Sequence, residues 1–232
     1  MTLPGIMGIA ANRTAIGGGG SLTPLQSLLA LLAAAGGLNG YTDFTTSAIS
    51  GTAPTRTWAS QDLSENDNDW TQPADAAIPL EVTAEGAVMG ASTKLLYPVS
   101  GGTFTLVAGF IRDTAFTTSG TLIGDEELAR FVQSAARDDA QGAAVTVIVG
   151  EAATVCATWQ ALYDVLEPLA DGTRFVLVVE NIDATGLTAL AIGRGSGNLR
   201  GSTPNECAML QHSTLSTNLA AAKAAAITVC SN

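Results

Sequence analysis

Apolar residues run in three nearly unbroken blocks through the middle of the chain. Phe175-Val176-Leu177-Val178-Val179 has no polar alternation. A strand with one wet face alternates, so this run predicts a strand covered on both faces. Val145-Thr146-Val147-Ile148-Val149, ending at Gly150, and Phe104-Thr105-Leu106-Val107-Ala108 predict two more strands. Between these blocks the apolar spacing turns helical. From Asp125, the residues Leu128, Phe131, Val132 and Ala135 share one face, with Asp125, Glu126 and Glu127 in the first turn, where the helix dipole favours negative charge. A second helix starts near Thr154 as N-cap, aligns Val155, Trp159, Leu162 and Leu166, and ends at Pro168 and Gly172. Strand, helix, strand, helix and strand over residues 104–181 predict a βαβαβ core, because parallel strands need crossovers. The fold class is therefore α/β or α+β with a mixed sheet. A meander with helices packed on one side fits the same pattern.

The flanks follow the same reading. Ser21 to Gly37 holds a helix with Thr23 as cap, Pro24 at the first position, Gly36-Gly37 as stop and Leu25, Leu28, Leu29 and Leu32 as its apolar face. At roughly 18 Å it is too short to span a bilayer. Ala33-Ala34-Ala35 resembles a signal-peptide cleavage site, but the stretch before it is long and has one positive charge, Arg13. We read it as a packing helix behind an extended arm, with Gly17 to Gly20 as a hinge. Residues 41–100 are β-rich. Pro79 to Thr83 alternates, Gly86 and Gly90 mark turns, and Lys94 to Tyr97 resumes the pattern. The Phe110–Gly124 connection, rich in Thr and Gly, reads as an exposed contact loop. Leu187 to Ile192 predicts another strand, and Leu215 to Ala226 an Ala-rich helix. Two units result: an arm and helix over 1–37, and one core domain over 38–232.

Composition changes this picture in one respect. Charged residues make up 13% of the chain, against about 25% in an ordinary soluble domain. A surface so poor in charge suits burial against partners. The net charge of −11, with 10 Lys+Arg spread along the chain, argues against direct nucleic-acid binding.

Candidate chemistry is sparse. Cys156, Cys207 and Cys230 form no disulfide framework, although Cys207 and Cys230 would pair if the C-terminal segment folded back. One histidine, His212, and no Cys-x-x-Cys disfavour zinc. A Cys207–His212 pair is the nearest thing to a nucleophile and base. Asp62, Glu65, Asp67 and Asp69 gather carboxylates as a hard cation needs, without the EF-hand spacing; a solvated acidic loop is the plainer reading. Gly193 to Thr203, with Arg194 and Arg200, invites phosphate. It lacks both Gly-x-Gly-x-x-Gly and the P-loop ending, so a flexible loop with Arg at an interface is the plainer reading. No catalytic, cofactor-binding or metal residue is assigned, and no cofactor.

A low-charge chain rich in Ala, Gly and Thr, with an arm-like start and no catalytic motif, resembles the virion structural proteins of tailed bacteriophages. The resemblance is one of style over the whole chain and carries no residue roles. It implies a capsid, decoration or tail subunit located in the virion, which binds copies of itself and other virion proteins. A small α/β enzyme or phosphate-binding domain using Gly193–Thr203 is the alternative. An extracellular filament or adhesion subunit is the third.

Overall fold

Antiparallel pairing dominates the fold. A computed structural model describes residues 23–35, 40–64, 68–72, 79–90, 93–113, 120–125, 130–193, 202–212 and 219–231. Helix α1 (Pro24–Ala35) precedes β1 (Gly40–Asp43) and the hairpin of β2 (Ala48–Ser50) and β3 (Thr57–Ala59). A second hairpin, β4 (Glu81–Thr83) and β5 (Gly86–Val88), leads to β6 (Leu95–Pro98), β7 (Thr103–Arg112), β8 (Gly120–Asp125) and β9 (Arg130–Ser134). Then follow β10 (Ala144–Val149), β11 (Ala152–Val155), α2 (Trp159–Leu166), β12 (Arg174–Asp183), β13 (Ala189–Ile192), β14 (Ser202–Gln211) and α3 (Leu219–Cys230). One sheet has the order β1-β14-β7-β12-β10-β11 and a second the order β6-β13-β8-β9. Every neighbouring pair in both is antiparallel.

The chain is thus α+β, and the expected βαβαβ core is corrected. β7, β12 and β10 are the three predicted strands, but β12 runs antiparallel to both neighbours. No helix begins at Asp125, which ends β8; the segment beyond it returns as β9, with residues 126–129 outside the described set. Phe131 to Ala135 are all buried. A strand enclosed on both faces shows no alternation, so its apolar positions mimic helical spacing. The second helix starts later than expected. Thr158, not Thr154, is its cap, with Oγ1 accepting from the Ala161 N–H at 3.2 Å. Residues 152–155 form β11 instead. The expected exposed loop over Phe110–Gly124 is strand at both ends, where β7 continues to Arg112 and the fully buried β8 begins at Gly120; residues 114–119 lie outside the described set.

Two cores lie on opposite faces of the six-stranded sheet. Phe175, Leu177 and Val179 of β12 face one of them, with Phe104, Leu106, Val145, Val147, Leu162 and Leu166, and with Ile123, Val132, Leu190 and Ile192 of the second sheet. Val176 and Val178 face the other, with Val107, Ala208 and Leu210, under α1 and α3. The uninterrupted run of β12 is therefore covered on both faces, as its pattern requires. Thr23 and Gln26 cap α1 reciprocally: Thr23 Oγ1 accepts from the Gln26 N–H at 3.2 Å, and the Thr23 N–H donates to Gln26 Oε1 at 3.0 Å. Leu28 of α1 is fully buried in the helix-side core, so this helix packs on its own chain. Lys223 ties α3 to β12 through Glu180 at 2.7 Å.

The C-terminal end of α3 presses directly on β7. A Cβ at Gly109 would lie 2.5 Å from the Cys230 carbonyl oxygen. Gly109→Ala is therefore expected to force α3 outward and to cost about 1–3 kcal/mol of stability, as overpacking does. Urea unfolding of the variant measures this. An unchanged midpoint would show that the end of α3 is not held there.

Candidate functional site

The acidic segment after β3 is organised by one carboxylate. Asp62 is 5% exposed. Its Oδ1 accepts from the N–H of Tyr41 at 3.0 Å and of Ser64 at 2.8 Å. Its Oδ2 accepts from Ser64 Oγ at 2.9 Å and from the Asn68 N–H at 3.2 Å. The Asp62 N–H in turn donates to Asp69 Oδ1 at 2.6 Å. A carboxylate has about four lone-pair positions, and four donors occupy them here. Asp62 closes a loop against β1 and has no acceptor left for a cation. Glu65 and Asp67 lie outside the described residues. Among the described residues no three His, Cys, Asp or Glu side chains gather as metal ligands.

The thiols and the histidine do not meet. Cys207 sits on β14 facing the core between the sheets, and Cys230 on α3 in the opposite core. Both are free, so the possible pairing is not made. Burial pushes the Cys207 thiol well up and the Cys156 thiol up to about 11. Neither is a thiolate nucleophile at neutral pH. His212 bonds Thr105 Oγ1 through Nε2 at 2.8 Å, and burial lowers its pKa against the opposing pull of Glu180. Five residues of extended strand separate it from Cys207, roughly 17 Å.

The glycine-rich loop joins β13 in one sheet to β14 in the other, and residues 194–201, Arg194 and Arg200 among them, lie outside the described set. At its base, Gly193 and Ser202 line a cavity of about 10 Å³ with Phe110 and Ile192, room for a single water. A larger groove, about 600 Å³ and open to solvent, runs between β2 and β4; its lining offers one ionisable group, Glu81. Neither converges nucleophile, base and oxyanion donors. Polar side chains instead serve as backbone partners. Gln141 does so for β9: Oε1 accepts from the Gln133 N–H at 2.9 Å and Nε2 donates to the Gln133 C=O at 2.8 Å. Nothing in the residue order announced this use of Asp62 or Gln141, since both partnerships form through the fold.

Two outcomes follow. Asp62→Asn puts a donor where two donors already point, so it is expected to cost about 2–4 kcal/mol, read from urea unfolding; a neutral result would mean the loop is held elsewhere. Alkaline pH is expected to destabilise the fold. Cys156, Cys207, Cys230, Tyr41 and Tyr97 all have their pKa raised, mainly by burial, from ordinary values of 9.0 for the thiols and 10.0 for the phenols. The unfolded chain loses these protons first, so stability is full below pH 9 and falls as pH rises beyond it. A urea midpoint that stayed level from pH 8 to pH 10.5 would contradict this. No protein-family model, curated protein or solved structure matches this chain.

Proposed function

We propose that this chain is a non-enzymatic structural subunit of a virus particle, a capsid, decoration or tail component. It works by associating with copies of itself and with other virion proteins. The observation that carries this reading is what its exposed hairpins present. Gly51 to Thr55, between β2 and β3, are all exposed and uncharged. So is the whole of β11, Ala152 to Val155. The β4–β5 and β10–β11 hairpin tips carry Glu85 and Glu151, but the exposed surface of a freely diffusing protein ordinarily carries charge throughout. Charge-depleted surface is what the centre of an interface requires. The net charge of −11 keeps the subunit soluble until it assembles. The described residues contain no helix long and apolar enough to cross a membrane.

The arm of this proposal falls on residues 1–22, which lie outside the described residues; α1 beyond them packs on its own sheet. Light scattering is expected to give a defined oligomer for the full chain and a smaller species for a chain lacking residues 1–22. A stable monomer for both, at all concentrations reached, would overturn the proposal.

A further inference from the structure

Each sheet has two edges, and an edge strand offers unpaired N–H and C=O groups to any other strand. Three of the four edges of the two larger sheets are closed by the chain itself. At β1, the Tyr41 N–H donates to Asp62 and its C=O accepts from the Leu63 N–H at 2.7 Å. At β6, Leu96 exchanges both bonds with Thr71, each 2.8 Å. At β9, Gln141 takes both groups of Gln133, and the Gly142 N–H donates to the Phe131 C=O at 3.1 Å.

β11 is different. The Cys156 N–H donates to the Val145 C=O at 2.9 Å. Antiparallel bonding alternates, and with the register Val147↔Thr154 and Val149↔Ala152 it is residues 152, 154 and 156 that face β10. The N–H and C=O of Ala153 and Val155 point outward, and they have no backbone partner among the described residues. Val155 is 74% exposed. Its side chain and that of Ala153 lie on the helix side of the sheet, beside Thr146 and the half-buried Ile148. Helix α3 lies mainly over β14 and β7 and less over β12; Ile148 packs on the helix-side core, and Ala153 and Val155 lie exposed beyond it. No Lys, Pro or bulge guards the strand, the usual protections of an edge.

We propose that β11 pairs antiparallel with β11 of a second copy about a two-fold axis at Thr154, joining two six-stranded sheets into one. This deepens the assembly reading above and rests on it. The strand is its own complement. Ala153 pairs with Val155 of the second copy and Val155 with its Ala153, giving four N–H···O bonds and placing each Val155 beside an Ala153. Charge selects this direction. Glu151 is the one charged residue of the hairpin (residues 144–155). Antiparallel pairing sets the two Glu151 residues roughly 20 Å apart along the strands, beyond the Debye length of about 8 Å. Parallel pairing would put them side by side.

Two variants of the full chain test the proposal. Val155→Pro removes one outward N–H and keeps the bonds to β10, a position where an edge strand accepts proline. Thr154→Cys places a thiol opposite its own copy at a Cα separation of about 4.5 Å, within disulfide range, while the three native thiols are buried. The expected results are at least a tenfold weaker association for Val155→Pro by sedimentation, and an air-formed covalent dimer for Thr154→Cys on a non-reducing gel. Thr185→Cys, in an exposed turn, should form none. An oligomer indifferent to Val155→Pro, with Thr154→Cys uncrosslinked, overturns the edge pairing and leaves the assembly reading standing. A full chain that is monomeric at every concentration overturns both. Should Val155→Pro fail to fold, the crosslink decides alone.

Discussion

An unbroken apolar run in a strand has to be covered twice, and Phe175 to Val179 of β12 impose that condition on the whole molecule. Phe175, Leu177 and Val179 demand one apolar layer and Val176 and Val178 another. The second sheet and α2 supply the first; α1 and α3 supply the second. Each side chain of this size contributes about 1.5–3 kcal/mol when buried, so leaving either face open would forfeit several such contributions. The layers follow from this. Helices at opposite ends of the chain must come together over one face, and α1 and α3 do pack against each other. The Gly109 approach lets α3 lie close to the sheet, and the Lys223–Glu180 pair fixes its position along β12.

What could be read from the residues was what local pattern determines. Continuous apolar runs located β7, β10 and β12, and Thr23 with Pro24 located α1. Strand direction was not legible, because it depends on which strands meet and not on their composition. β9 escaped because burial on both faces erases the period that separates strand from helix. β11 escaped for the opposite reason. Exposed on both faces, Ala152 to Val155 carry no pattern, and Thr154 resembles the cap that Thr158 is. β14 was hidden by Pro204 and its polar start, which a central strand ordinarily excludes. The register shifts between Pro204 and Glu206, and a bulge is where a sheet tolerates proline.

Polar side chains among the described residues are tied into the fold. Asp62 and Gln141 substitute for strands at two sheet edges, and His212 is held by Thr105. A buried carboxylate is stable only with its lone pairs occupied, and Asp62 meets that requirement with donors from its own chain. Its recruitment by Tyr41 spans 21 residues, which is why spacing in the sequence suggested an acidic loop and not an edge cap. β11 stands apart in the two larger sheets: their other three edge strands have partners among the described residues, and its outward groups have none.

The shortness of that open edge bears on what it can build. The Gly150 turn, with φ +59° in the pattern of a type II′ hairpin, ends the edge at one side. At the other, the Ala157 C=O accepts from the Gln141 N–H at 3.0 Å. Within β11 itself, Ala153 and Val155 are the residues that present outward groups. Two-fold pairing consumes all of them in both copies, because an isologous contact uses the same patch on each partner and closes. The joined sheet keeps no open edge from which it could propagate, since β1 at the far side is already capped by Asp62. An unguarded apolar edge is ordinarily an aggregation hazard. Confined to two residues and opposed to a single complementary copy, it becomes a finite contact that an assembly can repeat only through some other surface.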